Sequence, residues 1–143
     1  VIFYNTTIRQ TLHMSTGASQ IRIRISNAFG LDDLPITAMT VALPANGSAG
    51  VSAVQPSTVQ NVTFSGGEQS IIVPDGALAV SDPLDFPIEP QSMITVTMYL
   101  AMGQQGTAIT SHPGSRTTSW MTLGNQVGAA NLTGPELNST AHW

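Results

Sequence analysis

The sequence has no cysteine and no lysine, and charged residues make up only 8% of it. Without cysteine there is no disulfide to staple the fold and no thiolate to hold a metal. Neither is required, because a domain of 143 residues can bury roughly 68–70% of the surface its unfolded chain exposes. The cations are Arg9, Arg22, Arg24 and Arg116, against a net charge of −4. A phosphate-binding surface wants clustered positive charge, so nucleic acid is not an expected partner. No apolar run approaches the ~18–20 residues of a spanning helix, so no membrane partner is expected. Disorder is disfavoured by an apolar content of 41%, spread evenly along the chain.

Polarity is carried instead by Ser, Thr, Asn and Gln. Five tripeptides fit Asn-x-Ser/Thr without an intervening Pro, at Asn5, Asn46, Asn61, Asn131 and Asn138. A polar chain produces some of these by accident, but five point to a secreted, extracellular glycoprotein carrying N-linked glycans. The chain opens on the apolar Val1-Ile2-Phe3-Tyr4, with no basic n-region. It closes on His142-Trp143. Both ends read as cuts, and the expectation is one module, 1–143, from a longer protein.

The stretch Gln20–Gly30 organises the rest. Ile21, Ile23 and Ile25 alternate with Arg22, Arg24 and Ser26, a period of two that places β-branched side chains on one face of a strand and guanidiniums on the other. Asn27-Ala28-Phe29-Gly30 ends the alternation with turn-tolerant residues. Ile8–Ser15 alternates likewise, and Thr16-Gly17-Ala18-Ser19 suggests that the two strands pair as a hairpin. Ile36–Leu43 is β-rich. Thr58–Phe64 and Gln69–Val73 flank Ser65-Gly66-Gly67-Glu68, a second hairpin signal. Pro83, Pro87 and Pro90 make Ser81–Pro90 irregular or an edge. Ser92–Leu100 is a strand suited to burial on both faces. Thr107–Ser111 and Thr117–Met121 read as short strands, and the Gly/Asn-rich chain from Gly124 as loop until it nears Trp143. About eight or nine short strands without a helix give an all-β, antiparallel β-sandwich, jelly-roll-like.

Chemical motifs are sparse. There is no Gly-x-Ser-x-Gly, Gly-Asp-Ser or Asp-x-x-His, and no His-Glu-x-x-His, P-loop or Gly-x-Gly-x-x-Gly. His13, His112 and His142 stand far apart, which argues against a zinc site. Asp82, Asp85 and Glu89 share a proline-braced segment whose oxygens are the only weak calcium candidates; otherwise they are surface acids. No cofactor is expected. Arg22 and Arg24 share a strand face, either for local pairing or as a surface for carboxylates or sugars. His112-Pro113-Gly114-Ser115-Arg116 concentrates imidazole, hydroxyl and guanidinium in one loop, the kind of position that carries function on a sandwich. Its plain alternative is a turn with a locally paired arginine.

Several runs resemble the N-terminal part of secreted SGNH (GDSL-type) hydrolases, fungal ones especially. They are Thr7-Ile8-Arg9-Gln10-Thr11-Leu12, Arg22-Ile23-Arg24-Ile25-Ser26-Asn27-Ala28-Phe29-Gly30, Ser81-Asp82-Pro83, and Thr110-Ser111-His112-Pro113 through Trp120. In that family a β-sandwich accompanies an α/β esterase domain. Ala141-His142-Trp143 resembles the point where the chain leaves the sandwich. The family's nucleophile block, oxyanion Gly and Asn, and Asp-x-x-His are absent, so no catalytic residue carries over. The resemblance implies an accessory, non-catalytic module whose partner is the catalytic domain of the same parent chain, with His112, Ser115, Arg116, Arg22 and Arg24 as cleft or interface candidates. The alternative is a stand-alone carbohydrate-binding or lectin-like module. That reading needs exposed aromatics, and the chain has only eight aromatics in all, several of them expected in the core, which weakens it.

Overall fold

The computed structural model describes residues 1–141, so the expectation on Ala141-His142-Trp143 as an exit point lies in part outside the described residues. Ten short strands form, all paired antiparallel. β1 (Thr6–Met14), β4 (Ala38–Ala42), β5 (Gln60–Asn61), β8 (Ser92–Leu100), β9 (Ser119–Leu123) and β10 (Asn138–Thr140) make one sheet in the order β10-β9-β1-β8-β4-β5. β2 (Arg24–Ser26) pairs with β7 (Leu78–Val80), and β3 (Leu34–Ile36) with β6 (Ile71–Val73). These two ribbons form the opposing layer. The chain passes between layers four times, after β1, β3, β5 and β7, the jelly-roll-like β-sandwich that short alternating strands require.

β8 lies between β1 and β4, and its central residues Ile94 to Thr97 are all buried, as its two-sided pattern implied. On the face towards the second layer, Ile8, Met39, Val41, Ile94, Val96 and Leu100 pack on Ile23, Ile25, Phe64, Val73 and Phe86. The opposite face is polar and also buried: Thr7, Arg9, Thr11, Thr40, Thr95 and Thr97 are all at most 4% exposed.

Pairing departs from the sequence reading in four places. The hairpin between Ile8–Ser15 and the Gln20 strand does not form; β1 pairs with β8 and β9, and β2 crosses to the other layer. Ser65-Gly66-Gly67-Glu68 does reverse the chain, with the Glu68 N–H reaching the Phe64 carbonyl at 2.8 Å. Its flanks then separate, β5 to β4 and β6 to β3. Turn residues fix where a chain reverses, not which edge receives the next strand. Thr107–Ser111 joins no strand among the described residues, and Asn138–Thr140, where no strand was read, adds β10 to the sheet edge. Ser81–Pro90 is irregular as expected, held by bridges Ile21↔Leu84 and Ala18↔Ile88.

Candidate functional site

The alternation in Gln20–Gly30 holds in the fold. Ile23 and Ile25 are buried, Ile21 is half-buried, and Arg22 and Arg24 are exposed. Only Arg24–Ser26 forms regular strand, but main-chain bonds continue on both sides of it. Ile21 exchanges bonds with Leu84, the Ser81 N–H bonds the Ile23 carbonyl, and Asn27 donates to Ala77 and accepts from Gly76.

Asn27 anchors the turn that follows. Its Nδ2 donates to the carbonyls of Asp32 at 2.8 Å and Val73 at 3.1 Å, and its Oδ1 accepts from Gln104 Nε2 at 2.9 Å. Gln104 Nε2 also reaches the Asp32 carbonyl at 2.8 Å. Both amides are 2% exposed or less, and satisfied amides of this kind hold a loop without a hydrophobic contribution. Gly30 is required by close approach, since a Cβ there would collide with Asn27 Oδ1. Sequence reading took Asn27 as turn-tolerant only and missed Gln104. The signal it had was Asn followed three residues later by Gly.

Between β2 and the large sheet lies a cleft of about 430 Å3, of the size that holds small ligands. Its floor is apolar, including Ile8, Ile23, Ile25, Val96 and Met98, with the exposed Leu12 at its edge. Arg24 and the segment Ile109–His112 stand at its mouth. Among the described residues, no Asp or Glu lines it, and Arg24 and His112 are the basic residues that do. Thr110 Oγ1 accepts the Phe29 N–H at 2.9 Å, tying that segment to the Asn27 turn.

The loop candidates divide. His112 is exposed at the cleft rim. The Ser115 hydroxyl lies 2.7 Å from the Ala141 carbonyl and 3.1 Å from that of Thr117, and so braces the loop. Arg116 is exposed. Arg22 and Arg24 share an outward face, with Arg22 Nη1 3.4 Å from the Ser81 carbonyl and Arg24 opposite Val80.

The acids do not converge. Among the described residues no three of His, Asp and Glu gather as metal ligands. Asp82 accepts from the N–H groups of Gly66 (2.9 Å) and Gly67 (2.8 Å) and from the Thr63 hydroxyl (2.8 Å). These bonds, that of Gly66 foremost, hold its carboxyl below the ordinary value, and the Arg22 charge adds to them. Gly66 and Gly67 have φ of 82° and 122°, a conformation that glycine permits. Asp85 Oδ1 accepts from Gln20 Nε2 at 3.0 Å, and Glu89 is exposed.

Of the Asn-x-Ser/Thr sites, Asn46, Asn61, Asn131 and Asn138 are exposed. Asn5 is half-buried, with Oδ1 accepting the Tyr99 hydroxyl at 2.8 Å. Asn131 Oδ1 accepts the Ser52 hydroxyl at 3.1 Å. Among the aromatics, Phe64 and Phe86 are core, Trp120 Nε1 donates to the Gly50 carbonyl, and Tyr4 and Phe29 are the most exposed of those described.

Sequence reading also missed Arg9, which is 1% exposed. Its Nε donates to Thr97 Oγ1 at 2.8 Å, Nη1 to the Ser52 carbonyl at 2.7 Å and Nη2 to the Ala129 carbonyl at 2.7 Å. Burial lowers its pKa to about 10, which leaves the guanidinium charged at neutral pH. It clamps two loops to the sheet, and the available signal was its place among threonines on the polar side of β1.

Compared with protein-family models and with curated protein sequences, the chain matches none. Fold and local geometry therefore define its class, an all-β antiparallel sandwich with one apolar cleft between its layers.

Proposed function

We propose that this chain is a non-catalytic β-sandwich module of a secreted, N-glycosylated ester hydrolase of the SGNH type, working beside the catalytic domain. The observation that carries the reading is the run Arg22–Gly30, the most specific part of the resemblance, which builds β2, the Asn27 turn and one wall of the cleft. In the intact enzyme a serine would attack the ester carbonyl with histidine as base. This module would support that domain, and the His112–Arg116 loop would face its cleft, where a guanidinium can orient an ester by forked hydrogen bonds.

The test compares the isolated chain with the native protein from its source. The isolated chain is expected to leave p-nitrophenyl acetate untouched, and the native protein to hydrolyse it through a serine outside residues 1–143. In the native protein, Arg116→Ala and His112→Ala are expected to lower kcat/KM on a polymeric ester about tenfold, or ~1.4 kcal/mol, with the melting temperature unchanged. Turnover by the isolated chain that a serine-directed phosphonate abolishes, or a native protein without hydrolase activity, would overturn the reading.

A further inference from the structure

The main-chain bonds of the organising strand all leave from one side. In an antiparallel pair, alternate residues direct both N–H and C=O to the same neighbour. Ile21, Ile23 and Asn27 bond towards the 76–84 side, and Ile25 pairs with Ala79 in the same alternation. Arg22, Arg24 and Ser26 therefore direct their N–H and C=O groups to the other edge, where no strand pairs with them among the described residues. That edge spans about 13 Å at the usual rise per residue, and it borders the apolar cleft. Unpaired edges of this length are templates for a further strand, and natural proteins block those they do not use with bulges, prolines or cover. Here Thr107–Ser111 runs nearby, tied by Thr110 to Phe29, without pairing.

We propose that the edge Arg22–Ser26 binds an extended peptide by strand addition, and that the peptide alternates acidic and apolar residues. The pattern follows from the pleat. A residue opposite Ile23 or Ile25 points inward over the cleft floor, beside Val96 and Met98, and wants an apolar side chain. A residue opposite Arg22 or Arg24 points outward and wants a carboxylate. Among the described residues no acid lines the cleft beside Arg24, whereas Arg22 already feels the charge of Asp82, so Arg24 is the stronger anchor. Main-chain bonds supply affinity and the alternation supplies selectivity. The inference is independent of any neighbouring hydrolase domain.

The probe is the acetylated, amidated peptide Gly-Thr-Val-Glu-Val-Glu-Gly, titrated into the full 143-residue chain by fluorescence anisotropy and amide exchange. Saturable binding is expected, with exchange at Arg22, Arg24 and Ser26 slowed at least tenfold and that at Ile23 and Ile25, already bonded across, unchanged. N-methylation of the two Glu amides, which point at the edge, should weaken binding at least tenfold. N-methylation of the two Val amides, which point away, should change it less than twofold. Arg24→Glu, an exposed and fold-neutral change, should weaken binding at least tenfold, and a peptide with Lys for Glu should recover it. The proposal fails if the peptide does not bind at 1 mM, or if both N-methylated forms bind alike. It fails if the edge amides are already slow without peptide, since Thr107–Ser111 then covers the edge. It fails equally if decanoate fills the cleft and the peptide does not, since the cleft is then a lipid site.

Discussion

The two faces of the six-stranded sheet are both buried, by opposite means. One face packs isoleucines, valines and methionines against a second layer of strands. The other has no second layer and is covered by irregular chain. The Thr7 hydroxyl donates to the Gly124 carbonyl at 2.6 Å, Thr40 to Val127 at 2.7 Å and Thr122 to Thr133 at 3.0 Å, and the Gly50 N–H donates to Thr11 Oγ1 at 2.8 Å. Arg9 joins both covering loops. Loops carry main-chain groups that need partners. A face of threonines offers them hydroxyls and keeps the β-branched shape that a pleat favours. A low-charge, Thr-rich sequence can thus cover a sheet with loops where an apolar one needs more strands.

This contrast predicts different responses to truncation. Arg9→Ala should cost about 3–5 kcal/mol, because it removes a buried, fully bonded cation and leaves the part-buried carbonyls of Ser52 and Ala129 and the buried Thr97 hydroxyl without it. Denaturant unfolding would measure it, and a loss below about 1 kcal/mol would mean that the polar face is surface in energetic terms. On the apolar side, Ile23→Ala should cost about 2–5 kcal/mol, as removal of buried methyl groups does. A loss under about half a kcal/mol would place Ile23 on the solvent face.

A smaller effect should come from Asp82. Its folded pKa lies below the ordinary 3.8, so its stabilisation is complete above that value and is lost as pH falls through the folded one. Melting temperature should drop on acidification below about pH 4, and Asp82→Asn should start lower and flatten that drop. Equal slopes would show that other carboxyls control acid stability. The smallest effect is expected at Thr95, whose buried hydroxyl has no hydrogen-bond partner among the described residues. Thr95→Val keeps the shape and removes a desolvated group, so stability should stay level or rise by up to about 1 kcal/mol. A clear loss would show that the hydroxyl is partnered.

Local pattern made the strands legible and left their partners obscure. Period-two alternation marked β1, β2 and β8 because each has faces in unlike surroundings. It could not show that the polar side of β1 is buried, since alternation records difference between faces and not which one meets water. The burial of Arg9 was missed for that reason. Thr107–Ser111 has the composition of a strand and lacks a partner, whereas Asn138–Thr140 has the composition of a loop and finds β9. Of the candidate site, the outward arginines and the His112 loop were visible as residue types. The cleft joining Arg24 to His112 depends on chain crossings that no local window contains.

The clamp at Arg9 has a consequence in time. Its partners lie 43, 88 and 120 residues away in sequence. Contacts so distant close late and slow the folding of β-rich chains. During synthesis, at ~5–20 residues per second, β1 must wait about 6–24 s for the segment around Ala129 to be made. Through that interval its guanidinium and threonines remain in water at little cost, where a face of isoleucines would be exposed to aggregation. A polar buried face therefore keeps the first strand of the chain soluble until the last part of its cover has been made.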